Sequence, residues 1–375
     1  PNPKPQTPNP KPQTPWLYII NLMRGKVLII LGAILLASAA YKFMVRGNQT
    51  KAFVDTKIVQ SFTKWRSSFS KHFSTPAEVD YRMQIFKKNL EMVEQHNSNT
   101  ESTFTLGLNH LSALTEDELA ALFSESNPED EAKHFEGKKP VTRIPGTGLQ
   151  GMSVPDSVDW SETLSPVKFL DRCSGCYATA AAESVEASVY FLKRQKVVMS
   201  AQDIIDCSQI PPYGNKGCNG GSIGIAYKYV RDKGLAYESE YPWNKGRDGS
   251  CQDSKRREIG KDQIDFVQVA PNRSDILKGL VAFRPISIKI AMSGQLAMYR
   301  KGIFSGACTG PVTMHVSLVG YGVSELNGAI TPYWLIKTSQ GTGWGENGYL
   351  RLFRSEGGVS GMCGVTDFAS FSFLK

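Results

Sequence analysis

Cys176 is the residue whose position in the sequence is most typical of a chemical role. A Gly-containing turn precedes it, and the Ala-rich stretch over residues 176–195 has helical spacing. The cysteine therefore falls at the beginning of a predicted helix, where the helix dipole lowers the pKa of a thiol and favours the nucleophilic thiolate. A buried cysteine is usually only a small apolar side chain, but the turn and the helix favour a nucleophile here.

The cysteine count is consistent with one unpaired thiol. The chain contains seven cysteines, all of them in its C-terminal part. An odd number in an oxidising compartment leaves one thiol after the others have paired. Metal binding is the competing use of cysteine, but the only C-x2-C spacing is that of Cys173 and Cys176, and no matching pair of histidines accompanies it. We therefore expect no metal site.

The N-terminal stretch predicts transport into an oxidising compartment. Residues 1–22 contain a tandem PNPKPQT repeat that favours extended polyproline geometry, and they are either a native upstream extension or a segment foreign to the native protein. Residues 23–40 have a basic start, an apolar run and small residues at the end, as a secretory signal peptide does. An uncleaved membrane anchor is the alternative. Both predict the secretory pathway, with an extracellular or a lysosome- or vacuole-like destination.

Residues 53–97 have the apolar spacing of two helices that are separated at Thr75-Pro76, since proline suits the first turn of a new helix. In the second helix, polar and apolar side chains recur at steps of three and four and share one face. We expect Glu78 and Arg82 to pair across one turn of it. The residues of this face are Glu78, Arg82, Phe86, Asn89, Val93 and Asn97.

This face resembles the E-x3-R-x3-F-x2-N-x3-I-x3-N signature of papain-family propeptides, with Val93 in place of isoleucine. Residues 107–113 resemble the G-x-N-x-F-x-D element of the same propeptides, with Ala113 in place of the acid. The resemblance implies that residues 41–125 are a helical propeptide that runs backward through the active-site cleft and inhibits it. Residues 126–150 are polar and rich in Gly and Pro, and are expected to form a linker with the processing site.

Residues 151–375 resemble the papain-like peptidase domain. The segment over residues 166–178 matches P-V-K-N-Q-G-x-C-G-S-C-W-A, with Cys176 in the nucleophile's place and Tyr177 in that of the Trp. Further stretches that match the family in order are residues 200–207, 217–221, 333–337, 341–349 and 363–365. The resemblance implies an α+β fold, with a helical lobe and a β-barrel-like lobe on either side of a cleft. It also implies the disulfides Cys173–Cys218, Cys207–Cys251 and Cys308–Cys363, with Cys176 left unpaired.

Three positions of the implied catalytic site differ from the family. Leu170 takes the place of the glutamine that stabilises the oxyanion, and Thr338 that of the asparagine that orients the imidazole. Counting back from the Val-Gly-Tyr-Gly stretch without a gap puts Met314, not His315, at the position of the catalytic histidine. A one-residue deletion or bulge would restore His315; without it, His315 is an ordinary histidine of the core or surface. The catalytic candidates are therefore Cys176, His315 and Thr338.

The resemblance also implies a substrate groove, in which Gly220 and Gly221 offer backbone to an extended peptide. Phe368 at the base of the main specificity pocket would favour a small apolar side chain, although core packing explains its apolar neighbours equally well. The other candidate residues of the groove are Ser222, Ile223, Val316 and Trp344.

These observations predict a cysteine-type endopeptidase, made as a secreted zymogen, with weak or unusual activity. The alternative is a catalytically inactive papain-fold homologue that binds peptides, inhibitors or a partner protease. Expected partners are a peptide or protein substrate, the chain's own propeptide and cystatin-like inhibitors, and a membrane only if the apolar segment stays uncleaved. The net charge of +8 forms no basic stripe with interleaved aromatics, so nucleic acid is not expected. We expect no cofactor.

Overall fold

The computed structural model describes residues 35–44, 56–123, 131, 133–135, 138–143, 154–254, 257, 259–326, 328–355 and 361–375. The chain divides into two compact units between Lys64 and Trp65. Helix α1 covers residues 35–44 and helix α2 covers residues 56–68. Within the described residues, no helix is long and apolar enough to cross a membrane. The predicted signal peptide lies outside the described residues except for residues 35–40, and the Pro-rich segment 1–22 lies wholly outside them.

The segment before the predicted linker is helical, as expected, and its helices begin at local capping signals. Helix α3 spans Pro76–Asn97, and the Thr75 side chain caps it by accepting the N–H of Glu78. Helix α4 spans Glu116–Leu122 and begins with a capping box between Thr115 and Glu118. Strand β1, Phe104–Leu106, lies between the two helices. The break at Thr75-Pro76 is where the sequence predicts it.

Helix α5, Cys176–Lys193, is the central helix of the second part of the chain, and its residues from Cys176 to Val189 are all buried. Its many alanines fit this position, since a helix that is covered on every side has room only for small side chains at its closest contacts. Further helices of the described residues are α6, Ala201–Cys207; α7, Ile223–Lys233; α8, Ser274–Val281; and α9, Gly294–Ala297.

A mixed sheet follows in the order β1-β5-β8-β7-β6-β4-β9-β3, with β2 paired to β6. The strands are β2, Val158–Asp159; β3, Ile264–Gln268; β4, Ile286–Ala291; β5, Tyr299–Phe304; β6, Val312–Leu326; β7, Ala329–Lys337; β8, Tyr349–Phe353; and β9, Ala369–Leu374. Strand β1 adds to the edge of the sheet by antiparallel pairing with β5. The predicted α+β class is confirmed.

Three disulfides join the pairs that the family resemblance implies. They are Cys173–Cys218, Cys207–Cys251 and Cys308–Cys363. The first ties the turn before helix α5 to the loop before α7, and the third ties the loop before strand β6 to the 3-10 turn that precedes β9. They therefore hold the loops around the beginning of α5 and the end of the sheet.

Polar contacts fix helix α5 against the sheet. Ser287 of β4 donates to the Ala180 carbonyl at 3.1 Å, and Ser317 of β6 donates to the Glu183 carboxylate at 2.5 Å. Lys337 of β7 forms a buried ion pair with the same carboxylate. A buried charge of this kind is retained only where a partner neutralises it.

Glu186, one turn further along α5, gives the fold a pH dependence. Its carboxylate accepts the backbone N–H groups of Ser165 and Met199 at 2.8 and 2.9 Å. Burial nevertheless raises the pKa of Glu186 from 4.5 to about 7. Because the folded-state pKa lies above the unfolded one, its contribution to stability is fully present below pH 4.5 and is lost as the pH rises through 7.

We expect the Glu186→Gln variant to lose this pH dependence. Its Tm relative to the wild-type chain should therefore rise as the pH is raised from 5 to 8, measured by thermal unfolding of both proteins in the same buffers. Glu162→Gln, a change of an exposed carboxylate, is the matched control and should show no such trend. A constant difference between Glu186→Gln and wild type across this pH range would contradict the prediction.

Candidate active site

Cys176 is buried at the first position of helix α5, as predicted, and all seven cysteines lie in the described part of the chain. It is the one cysteine outside a disulfide. The preceding residue is Gly175, and the space around it is tight. A Cβ at this position would lie 3.0 Å from Ile205 Cδ1 and 3.1 Å from the Cys173 sulfur. The turn therefore packs directly on the first disulfide, and it delivers the thiol to the positive end of an 18-residue helix.

Leu170 lies beside the same turn. A Cβ on Gly175 would be 3.3 Å from Leu170 Cδ2, and the Leu170 N–H donates to the Ser339 carbonyl at 3.1 Å. The residue is buried and carries no hydrogen-bond donor in its side chain. The structure thus places Leu170 next to the start of α5, at the position where the family resemblance implies an oxyanion donor.

Thr338 directly follows strand β7 and is buried. Its hydroxyl donates to the Gly348 carbonyl at 2.8 Å and accepts the N–H of Gln340 at 3.3 Å. A hydroxyl has one proton, so Thr338 has only acceptor capacity left for an imidazole. Trp344 is also buried, and its indole N–H donates to the Ala297 carbonyl at 3.0 Å.

His315 lies on strand β6, within a regular stretch between two register irregularities. Residues 314–318 pair without interruption with β4, which places Lys289 opposite His315. The irregularities lie at Thr313, against β4, and at Val319, against β7. The imidazole Nε2 is 3.5 Å from a carboxylate oxygen of Glu131. Burial, and secondarily Lys289, lower the pKa of His315 to about 4.

The surroundings of Phe368 differ from those expected for a specificity pocket, because side chains alternate along a strand. The His315 ring is 6.0 Å from the Phe368 ring, and the Lys289 ammonium is 5.3 Å from it. Val316 follows His315 on β6, so its side chain is on the opposite face of the strand. His315, rather than Val316, therefore lies beside Phe368, and the base of the pocket carries a cation as well as an aromatic ring.

The loop with Gly220 and Gly221 runs close to the start of α5. A Cβ on Gly221 would lie 2.9 Å from Tyr177 Cζ and 2.6 Å from Asn215 Oδ1, so only glycine permits this approach. Gly220 has a φ of 97°, a region that favours glycine. Ser222 and Ile223, at the beginning of α7, follow directly and are buried. The structure thus places this predicted groove element beside the residue after Cys176.

The segment before the linker contacts residues on both sides of Cys176 in the sequence. Ser174 donates to the Leu122 carbonyl at 2.5 Å, and Lys71 forms an ion pair with Asp171 at 3.0 Å. Backbone pairing of β1 with β5 and a 2.7 Å bond from the Gly107 N–H to the Met298 carbonyl extend the contact to the sheet.

Asn109 and His110 belong to the G-x-N-type element of the sequence. The Asn109 amide donates to the Ala297 carbonyl at 2.7 Å. The His110 ring is 3.2 Å from the Gln340 side-chain oxygen and packs edge-on against Phe169. The element therefore reaches the loop that follows Thr338.

One expected contact within this segment is wrong. Arg82 pairs with Glu118 of α4 at 2.6 Å and donates to the Ala113 carbonyl at 3.0 Å. Glu78 instead accepts the N–H of Ser74 at 3.0 Å, before the start of α3. The face of α3 that resembles the propeptide signature therefore holds the segment that follows it. The side-chain amides of Asn89 and Asn97 donate to the backbone carbonyls of Ser112 and Leu106.

Two residues of the pocket, Glu131 and Lys289, were not among the predicted site residues. Both are fully buried, and their side chains form an ion pair at 3.0 Å. The available signal was the lysine in the strand ISIKIA, where every other residue is apolar or small. Nothing in the sequence near Lys289 indicates its partner, which lies 158 residues earlier.

Comparison with known proteins agrees with this geometry. Residues 154–373 match the family model described as papain family cysteine protease, and residues 62–119 match that of the cathepsin propeptide inhibitor domain. A cathepsin L-like protein of Caenorhabditis elegans is 33% identical over 352 residues, covering 91% of this chain and 99% of the relative. A cathepsin L-like proteinase of Fasciola hepatica is 31% identical over 320 residues, covering 83% and 92%.

Solved structures of precursors are similar over most of the chain. Procathepsin L 3 of the Tenebrio molitor larval midgut has a TM-score of 0.70 at 27% identity, with 84% of this chain and 99% of that one covered. A recombinant stem bromelain precursor has a TM-score of 0.72 at 27% identity, covering 85% and 99%. The chain therefore belongs to the papain family of cysteine proteases. It has the propeptide inhibitor domain and the zymogen architecture of that family.

His110 makes the contact between the propeptide and the peptidase domain sensitive to acid. Burial lowers the pKa of His110 from 6.5 to about 4; the nearby Lys71 lowers it further, while Gln340 and Asp171 act in the opposite direction. Because the folded-state pKa is below the ordinary value, the contribution is fully present above pH 6.5 and is lost as the pH falls through 4.

We therefore expect hydrogen exchange of residues 104–122 in the full chain to accelerate between pH 6.5 and 4, after correction for the intrinsic pH dependence of exchange. His110→Gln, which keeps a polar group near Gln340 but does not titrate, should reduce this acceleration. His72→Gln, a change of an exposed histidine, is the control and should behave as the wild type does. Equal pH dependence in wild type and His110→Gln would contradict this role.

Proposed function

We propose that the chain is a secreted zymogen whose peptidase domain cleaves peptide bonds through the Cys176 thiolate, with weak activity. The observation that carries this proposal is the position of Cys176, which combines a thiol outside the three disulfides, a helix N-terminus and a propeptide that contacts the preceding loop. We place the mature protein in an extracellular or lysosome-like compartment, where the three disulfides persist. Its partners are peptide or protein substrates, with cystatin-like proteins as inhibitors.

In this proposal, the Cys176 thiolate attacks the carbonyl carbon of the substrate and forms a tetrahedral oxyanion. The proton that the thiol loses passes to the neutral imidazole of His315, which returns it to the leaving amine, and water then releases the acyl group from the sulfur. Lys337 lies opposite Ser317 in the pairing of β6 with β7, so Thr338 falls opposite Val316; for Thr338 to accept its N–H, the imidazole has to leave Glu131 and turn to that face. The backbone N–H of Cys176 donates to the oxyanion, while Leu170 has no side-chain donor to add.

Three features support weak rather than ordinary activity. The absence of one oxyanion donor at Leu170 costs about a hundred- to a thousandfold in rate. An imidazole with a pKa of about 4 is neutral near pH 7, so His315 does not supply the cation that would lower the thiol pKa. The proton of the Thr338 hydroxyl already donates to the Gly348 carbonyl.

The second candidate function is peptide binding without turnover, on a papain-fold homologue that has lost catalysis. The contact of His315 with Glu131 favours this alternative, because it assigns the imidazole a role in the pocket next to Lys289. The two functions differ in one property, which is the reactivity of the Cys176 thiol.

The pH dependence of alkylation separates them. If Cys176 and His315 act together, iodoacetamide should label the processed protein rapidly well below pH 8, and both Cys176→Ala and His315→Ala should abolish this labelling. The labelled residue is identified by peptide mass spectrometry. Labelling that follows an ordinary thiol of pKa about 8.5, unchanged in His315→Ala, would reject the peptidase and leave the peptide-binding homologue.

Restoring an oxyanion donor should raise the rate. In Leu170→Gln, we expect kcat towards a fluorogenic peptide to increase about a hundredfold or more, because the side-chain amide supplies the missing hydrogen bond in the transition state. Leu170→Met has a similar volume and no donor, and serves as the control. An equal kcat for both variants would show that position 170 does not contact the oxyanion.

A further inference from the structure

The carboxylate of Glu131, a residue of the linker, is bound by groups of the peptidase domain. One oxygen accepts hydrogen bonds from the Ser222 hydroxyl at 2.5 Å and from the Gly224 N–H at 2.8 Å. The other lies 3.0 Å from the Lys289 ammonium and 3.5 Å from His315 Nε2. Glu131 and these partners are all buried, so the carboxylate has exchanged water for protein donors.

Three elements of the domain supply these donors. Ser222 caps helix α7, where its oxygen accepts the N–H of Ile225 at 3.2 Å, so its own proton points to Glu131. The helix N-terminus adds a partial positive charge at the same oxygen. Lys289 and His315 face the other oxygen from the paired strands β4 and β6. The pocket therefore has the donor set of a carboxylate-binding site.

The linker fits this pocket closely around the carboxylate. A Cβ on Gly224 would be 2.6 Å from His134 Cβ, so glycine allows the linker to lie on the helix terminus. The Phe135 ring packs 5.9 Å from Phe368 and 5.4 Å from Phe266. The Lys289 ammonium in turn lies over the Phe368 ring. The aromatic wall limits access of water and thereby strengthens the attraction between the ammonium and the carboxylate.

Removal of the linker would remove the carboxylate that neutralises Lys289 in a buried position. A ligand with an apolar or cationic side chain would not replace the ion pair that Glu131 makes with this ammonium, whereas an acidic side chain would restore it and accept the Ser222 and Gly224 donors. The preference for a small apolar side chain, which was expected from Phe368, did not take the charge of Lys289 into account.

We propose that this pocket selects peptides with an acidic side chain, which takes the place of Glu131, and that Lys289 determines this specificity. The proposal rests on the proposed function to the extent that the groove binds peptides, but it does not require turnover. Glu131 acts in it as an internal ligand that occupies the pocket in the zymogen.

The test uses the full chain with the pocket opened by Glu131→Ala. Binding of acetyl-Ala-Glu-Ala-amide is measured by isothermal titration calorimetry and compared with the Gln and Leu analogues of the same peptide. We expect the Glu peptide to bind Glu131→Ala at least tenfold more tightly than the Leu peptide, and not to bind the wild-type chain. Lys138→Ala is the matched control: it removes a linker contact with Asp265 outside the pocket and should leave the pocket closed.

Lys289→Met, placed in the Glu131→Ala background, identifies the determinant. It should reduce affinity for the Glu peptide by about ten- to a hundredfold, as expected for the loss of a charge-assisted hydrogen bond, and leave the Leu peptide unaffected or better bound. Equal or tighter binding of the Leu peptide by Glu131→Ala, or an unchanged preference in the double variant, would overturn the proposal.

Two further measurements keep the outcomes separate. If Glu131→Ala does not fold, the Tm is measured for Glu131→Gln, for Lys289→Met and for the double variant, which together form a double-mutant cycle. A double variant that is less destabilised than the sum of the two single changes would support the proposal. Additive changes in Tm would overturn it. Alkylation of Cys176 is independent of peptide binding. A folded Glu131→Ala that binds none of the peptides while Cys176 stays reactive overturns this inference and leaves the peptidase intact.

Discussion

The burial of helix α5 from Cys176 to Val189 is the constraint on which the arrangement of this protein depends. A helix that is covered on every side needs small side chains, and the run of Ala, Ser and Thr after Cys176 provides them. It also needs a partner for each buried polar group, and the sheet provides these through Ser287, Ser317 and Lys337. Because the helix is fixed along its length, its first residue is fixed as well. The position of the Cys176 thiol is thus a consequence of core packing.

The propeptide completes the molecule by satisfying groups that the cleft leaves at its surface. Strand β1 pairs with the edge strand β5, and Asn109 bonds to the carbonyl of Ala297, which also accepts the indole N–H of Trp344. The strand pairing depends little on side-chain identity, whereas the Asn109 bond needs its amide. His110 and the ion pair Lys71–Asp171 add contacts that depend on charge. Inhibition and acid sensitivity can therefore reside in different residues of one segment.

Charge has a different role in the pocket beside the catalytic cleft. Buried ion pairs contribute little net stability, because desolvation offsets most of the attraction, but removing one partner costs about 3–5 kcal/mol. A buried lysine in the wall of a binding site therefore affects specificity mainly by weakening the binding of ligands that lack a negative charge. In the zymogen, the carboxylate of Glu131 fills the pocket and pairs with Lys289; under the proposal made above, the same lysine favours ligands with an acidic side chain.

The sequence by itself determined what is local or carried by the family resemblance. The helix start at Thr75-Pro76 follows from the preference of proline for a first turn, and Cys176 at a helix N-terminus follows from spacing. The disulfide partners followed from the resemblance, since cysteine spacing alone leaves several connectivities open. The α+β class followed in the same way, from motifs in their proper order.

Only the tertiary structure decided which groups meet across long sequence separations. Arg82 pairs with Glu118 rather than Glu78, because α4 folds back on α3 and offers a carboxylate in better reach. The direction of His315 depends on strand register, in which a shift of one residue reverses the face of every side chain. The partner of Lys289 lies 158 residues away and has no local signal. Contacts of this kind depend on how strands and loops pack in three dimensions, and composition, periodicity and capping do not specify them.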